Sequence, residues 1–361
     1  VLAGWQPQYP YLFGMRRIVM PWLYRKGLDV PFILLPPFFI TLWVLALPGF
    51  FHAGPMPPWF WLLFVVGIDV AHVYSTLYRT YLDRRALGRR RLLFVLVPPL
   101  AWLGGMLLYS AGAMVFWRVL AYLAVFHFVR QQYGFYRLYA RAEHSTPWGR
   151  RLEAATIYMT TLYPLLYWHS HLPRPFSWFM EGDFVVLPLW VGLLAGWVYL
   201  GLLLLYGLRL VRRMRQGIPL NVPRELVLLG TALSWYVGIV WAQGDMAFTA
   251  INVVSHGIPY MALIWAYGRR QGQGHQQPPA YWFRYRALPV FLLLLLLLAY
   301  AEEVLWDGLV WRDHPGLFSW IGTLPQLTNP VLLGLLVPLL AVPQATHYLL
   351  DGFIWRRGTA E

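Results

Sequence analysis

Apolar positions in this chain run in long blocks instead of alternating with polar ones, and the blocks are separated by short polar segments that often carry arginine. The blocks fall at residues 30–52, 57–82, 92–110, 113–140, 152–170, 183–212, 224–243, 246–268, 286–305 and 326–355. Each approaches the roughly 20 residues that an α-helix needs to cross a hydrocarbon core. The pattern therefore predicts an all-α, polytopic transmembrane helix bundle of ten spans, forming a single domain over residues 1–361.

The connecting segments orient the bundle. Arg16, Arg17, Arg25 and Lys26 precede the first block, and Arg84, Arg85, Arg89, Arg90 and Arg91 follow the second. Arg141, Arg150 and Arg151 follow the fourth, and Arg212, Arg213 and Arg215 the sixth. Arg269, Arg270 and Arg284 follow the eighth, and Arg356 and Arg357 the tenth. The alternate loops FHAGPMPP, YSAGA and AQGD carry no Lys or Arg, while Arg174 and Arg312 sit in the loops after the fifth and ninth blocks. Basic residues collect on the cytoplasmic side, so both termini are expected in the cytoplasm, with every even-numbered span running inward. In a bacterium this would be an inner-membrane protein.

Composition agrees. Hydrophobic residues make up 59% of the chain and charged ones 12%, against about 25% charged in an ordinary soluble domain. The 20 Trp and 23 Tyr suit interfacial belts. There is no cysteine, which excludes disulfides, thiolate metal sites, iron–sulfur clusters and thioether-linked haem. The formal charge of +14 does not read as a nucleic-acid footprint, because the arginines lie in short clusters between apolar blocks. The early stretch MRRIVMPWLYRKGLDV is too broken by charge for a cleavable signal, and QGQGHQQPPA (271–280) reads as a flexible cytoplasmic loop. Pro98, Pro99, Pro259, Pro338 and Pro343 inside the blocks are expected to kink their helices.

Chemistry enters with the ionisable residues inside the blocks. His72, His127, His256 and His347 all lie on even-numbered spans. At 1.5 Å per residue they fall in one layer between the midplane and the inner leaflet. Each has a polar companion three or four residues away, hence on its own helix face: Asp69 for His72, Arg130 and Gln131 for His127, Asn252 for His256 and Asp351 for His347. An Asp or Arg at the centre of a span costs about 2.5–3.5 kcal/mol, so Asp69 and Arg130 call for partners. Imidazole and carboxylate together suit iron, zinc, copper or manganese, with Asp69 and Asp351 either completing the ligand set or orienting imidazoles from behind. Asp69, Asp351 and Arg130 are the candidate catalytic groups, and the four histidines the candidate metal ligands. A purely structural reading, with the histidines as helix–helix hydrogen-bonding groups, stands beside this. Pro259 would free the carbonyl of Ser255 beside His256. His169 and His171 form an H-x-H pair at the end of the fifth block; His52, His144, His275 and His314 read as solvated loop residues, and Glu302, Glu303 and Asp307 as a wet acidic rim.

One histidine on each of several spans resembles the integral-membrane non-haem metal oxygenases, within them the Brp/Blh carotenoid-cleaving dioxygenases. The H-x-x-x-H and H-x-x-H-H boxes of membrane desaturases are missing. The resemblance implies iron and a lipid-soluble substrate. The expectation is thus a membrane metalloenzyme, an oxidoreductase acting on a lipid or isoprenoid that enters from the bilayer, with a possible redox partner. Two alternatives remain open: an electron carrier with haem b held by histidine, and a proton-coupled transporter.

Overall fold

A computed structural model describes residues 22–355 apart from 53, 144, 273–282 and 322–324. Arg16, Arg17, His144, His275, Arg356, Arg357 and most of the Gln/Pro-rich segment lie outside the described residues. Among the described residues 81% are helical and no strand occurs.

Among the described residues, twelve helices, with shorter ones between them, frame the bundle. They are α1 (Lys26–Leu34), α2 (Pro36–Ala46), α3 (Pro58–Arg79), α4 (Arg91–Ala111), α5 (Ala113–Tyr139) and α6 (Pro147–Ser170). They continue with α7 (Leu189–Arg215), α8 (Val222–Trp235), α9 (Asp245–Gly272), α10 (Tyr285–Trp311), α11 (Pro330–Leu340) and α12 (Val342–Ile354). Two pairs are bent spans: α1 meets α2 at 44°, and α11 meets α12 at 41°. Proline explains both breaks, since Pro36 and Pro37 open α2 and Pro343 opens α12, each removing an N–H and crowding the preceding turn. Pro98, Pro99 and Pro259 lie inside continuous helices.

Helix occurs at all ten expected positions, but six helices are long and apolar enough to cross a membrane, or eight if each bent pair is one span. The fifth and seventh blocks, α6 and α8, are not among them. Their sequences explain this: α6 holds Glu153, Thr156, Thr160 and Thr161, and α8 holds Arg224, Thr231 and Ser234, all buried in the protein. The sixth block starts later than the sequence suggested, at Leu189. Residues 183–188 are a loop in which Asp183 accepts hydrogen bonds from the backbone N–H groups of Trp178, Phe179 and Met180 at 2.9, 2.7 and 3.3 Å.

Helix α9 is the axis of the fold. In its apolar window 78% of residues are buried, against 11% for α4 and 22% for α7. It packs on α2, on α3 and on α8, so a side chain on α9 meets several neighbours at once. Gly257 permits a close approach of α9 to α3: a Cβ there would stand 2.8 Å from Ile68 Cγ2 and 3.2 Å from the Ile68 carbonyl oxygen. Helix α3 is itself irregular, with π-helical turns over Leu62–Val70, directly ahead of His72. Such turns insert extra residues and often mark functional positions. The far ends of α5, α6, α7 and α8 are tied by a buried charge network. Arg224, 1% exposed, contacts Glu143 at 2.6 Å and also Glu225; Arg209 reaches Glu153 at 2.7 Å and Arg213 reaches Glu143 at 2.9 Å. Three guanidinium and three carboxylate groups balance, which makes their burial tolerable.

Candidate metal centre

Helices α3, α5, α9 and α12 each deliver one imidazole to a single point. His72, His127, His256 and His347 are 1–2% exposed, and one ring nitrogen from each lies within 4.8 Å of the other three. The Nε2 atoms touch in series: His72 to His256 at 3.1 Å, His256 to His127 at 3.1 Å, and His127 to His347 at 3.0 Å.

Directed hydrogen bonds account for only part of that series. A neutral imidazole Nε2 offers one direction in the ring plane, either an N–H or a lone pair. Four such atoms form at most two ring-to-ring hydrogen bonds, yet three contacts run through them. At least one contact therefore lacks a directed N–H of its own, although all four nitrogens are buried. A cation at the common point satisfies all four lone pairs, so the donor set fits a metal ion.

The Nδ1 sides of the rings are fixed by other groups. His347 Nδ1 lies 2.6 Å from Thr76 Oγ1, and His127 Nδ1 lies 3.4 Å from Asp351 Oδ2. His72 Nδ1 faces Asp69 Oδ1 at 3.5 Å and has no hydrogen-bond partner. The Tyr260 hydroxyl joins two of these supports, donating to Asp351 Oδ1 at 3.0 Å and lying 3.2 Å from Thr76 Oγ1. Trp355 Nε1 also donates to Asp351 Oδ1, at 2.6 Å. His256 is held differently: the Phe128 ring stacks on it with centroids 3.5 Å apart and planes 6° from parallel, while Gln131 Nε2 donates to the His256 backbone carbonyl at 3.0 Å. Carboxylate and hydroxyl partners on the remote nitrogen fix the tautomer and aim the other nitrogen at the common point.

Two of the companions work between helices. Asp351 lies one turn from His347 in sequence, yet it supports His127 on α5. Gln131, one turn from His127, braces the backbone at His256. Only Asp69 faces the histidine of its own helix. Asn252 donates to the Phe248 carbonyl at 2.9 Å and is not a ring partner of His256. Arg130 is not brought to the centre: it is exposed, bonded to the Tyr158 hydroxyl at 2.5 Å and set over the Tyr133 ring. Thr76 and Tyr260, which the sequence reading passed over, stand four residues after His72 and His256. The one-turn rule that picked out Asp351 would have found both.

Other histidines are separately engaged. His169 Nε2 lies 2.9 Å from the Tyr122 hydroxyl, and His171 Nδ1 lies 2.8 Å from the Tyr167 carbonyl, so the H-x-H pair does not point at one place. His314 is half-buried, with its ring 3.9 Å from that of Trp61 between centroids. The acidic rim is a correction: Glu302 and Asp307 are each only 5% exposed. Glu302 accepts hydrogen bonds from Tyr74 at 2.6 Å, Gln344 at 3.0 Å and Trp306 at 3.2 Å, so packing of α10 against α3 and α12 takes it out of solvent.

Comparison with protein-family models, curated proteins and solved structures finds no match to this chain.

Proposed function

We propose that the four-histidine centre holds one transition-metal ion, iron in the first instance, and that the protein is a membrane oxidoreductase acting on a lipid-soluble substrate such as an isoprenoid. The observation that carries this reading is the series of Nε2 contacts at 3.0–3.1 Å. Imidazole nitrogen binds such ions at about 2.0–2.1 Å. Ligands at right angles around an ion at that distance stand about 3.0 Å apart, whereas tetrahedral ligands stand about 3.4 Å apart. The observed edges match right angles, which suit an ion of higher coordination with positions left for substrate or oxygen. Bound there, iron would supply activation of oxygen. The chain's own residues aim the imidazoles through Asp351, Thr76 and Tyr260, wall one side with Phe128, and place Asp69 beside His72 for proton transfer.

A lipid-soluble substrate fits the position of the centre, which lies inside a helical bundle whose outer surface is covered with exposed Leu, Val, Phe and Trp. A haem fits less well. Its two axial imidazoles stand about 4 Å apart across a wide flat slot, and four converging rings leave no slot. A transporter needs access from both ends, but the Tyr260 hydroxyl bridges Thr76 and Asp351 on one side of the rings.

Elemental analysis of the purified protein tests the reading. One metal ion per chain is expected, reduced by His→Gln at any of the four positions. Protein that retains no transition metal and takes none up would sink the proposal.

A further inference from the structure

Arg130 points away from the imidazoles and is exposed on the outer face of α5. Helix α5 is one of the six long and apolar enough to cross a membrane. Arg130 stands nine residues before its end at Tyr139, farther from a helix end than any other arginine of those six. At 1.5 Å per residue the helix is about 40 Å long, against a hydrocarbon core of about 30 Å. Even with the whole excess at the Tyr139 end, the backbone at Arg130 falls inside the core.

Its partners are aromatic. The guanidinium donates to the Tyr158 hydroxyl on α6 and lies 5.4 Å from the Tyr133 ring centroid. The Tyr133 and Tyr158 rings stack, with centroids 4.8 Å apart and planes 18° from parallel. Arg209, Arg213 and Arg224 all meet carboxylates, but Arg130 has no ion-pair partner among the described residues. A phenol that accepts one hydrogen bond still has an O–H to give, and that of Tyr158 finds no acceptor among the described residues. Phe126 and Leu162, one turn from Arg130 and Tyr158 on their own helices, are exposed apolar side chains.

We propose that Arg130 and Tyr158 bind the carboxylate of a long-chain acid, of the fatty-acid class, where α5 meets α6. A planar guanidinium offers paired N–H groups that match two carboxylate oxygens, and the Tyr158 O–H adds a further donor. The acyl chain would lie on Phe126 and Leu162. Phosphate headgroups stay outside the hydrocarbon core, so a phospholipid does not reach this depth, whereas a carboxylate at the end of an apolar chain does. An ion pair is strong in such a low-dielectric setting. The site is separate from the four imidazoles and requires no metal there.

Full-length protein in phosphatidylcholine nanodiscs, with stearic acid spin-labelled near its carboxyl end as the probe, provides the experiment. Electron paramagnetic resonance reads the share of probe immobilised on the protein. At alkaline pH, with the probe ionised, its association should exceed that of its methyl ester about tenfold. Arg130→Gln should abolish that preference, Tyr158→Phe should weaken it and Arg130→Lys should keep part of it. Arg118→Gln, at another exposed position of α5, should leave it unchanged. Equal association of acid and ester with wild type, or a preference that survives Arg130→Gln, overturns the site. Spin-labelled phosphatidylglycerol held as strongly as the acid, and released by Arg130→Gln, overturns the carboxylate assignment in favour of a phosphate headgroup. If Arg130→Gln does not fold, Tyr158→Phe decides, and an undiminished preference there refutes the pairing.

Discussion

Thr76 Oγ1 lies 2.6 Å from His347 Nδ1, a contact between α3 and α12 across 271 residues of sequence. It fixes which nitrogen of His347 is left to face the other three rings. Thr76→Val keeps the shape and removes the hydroxyl, so metal affinity should fall by about 10–100-fold. Thr76→Ser should restore it. Competition with a chelator of known affinity measures both, and unchanged affinity in Thr76→Val would show that the hydroxyl does not orient the ring.

Asp351 serves His127 in the same way, and Tyr260 connects the two supports. Asp351→Asn and Tyr260→Phe should each weaken metal binding. Because the groups share one network, their effects should not add, with a coupling of about 0.5–3 kcal/mol in a double-mutant cycle. Additive losses would mean that Tyr260 acts on packing alone.

These supports mark the limit of what the sequence disclosed. Long apolar blocks made the helices legible, and one histidine at a similar count along each of four even-numbered blocks made the convergence legible, because rise per residue converts such a count into depth. Rotation about the helix axis is not fixed by that count. The sequence pairs Asp351 with His347 by spacing, while packing turns its carboxylate toward His127 on another helix. Arg130 falls on the outward side of α5 for the same reason. Nor does the length of an apolar block show how polar a helix it forms: α6 is less apolar than the six helices that meet the length and hydropathy needed to cross a membrane, and its Glu153 is paired with Arg209 inside the protein.

Gly257 tests how closely α9 must approach α3. An added Cβ would lie 2.8 Å from Ile68 Cγ2 and 3.5 Å from His72 Cβ, so Gly257→Ala has to move one of the two helices that deliver His72 and His256. Metal should be lost while helical circular dichroism persists. Gly201→Ala, with nothing within 4 Å, is the matched control and should behave as wild type.

His314 gives a pH dependence with a defined sign. Burial pushes its imidazole below the ordinary value, with Asp307 and Asp313 pulling the other way. Just below about pH 6.5 the unfolded chain then holds more protons at this site than the folded one. Stability rises with pH through that window and is lost on acidification. His314→Gln should flatten the dependence of the unfolding temperature between about pH 5 and 7. A slope as steep as wild type would assign the acid sensitivity to other groups.

Arg224 tests whether the buried charge network holds the ends of four helices together. Its guanidinium is 1% exposed and meets Glu143 and Glu225, with Glu153 at 3.7 Å. Arg224→Ala leaves these carboxylates in a poorly hydrated place with one fewer cation, a loss of about 3–5 kcal/mol when one partner of a buried pair is removed. Arg224→Lys should recover only part, because an ammonium cannot match the forked contacts of a guanidinium. The metal centre lies on other parts of α3, α5, α9 and α12, so folded Arg224→Ala protein should bind metal with wild-type stoichiometry while unfolding at lower temperature. Loss of metal in a variant of normal stability would instead connect the network to the centre.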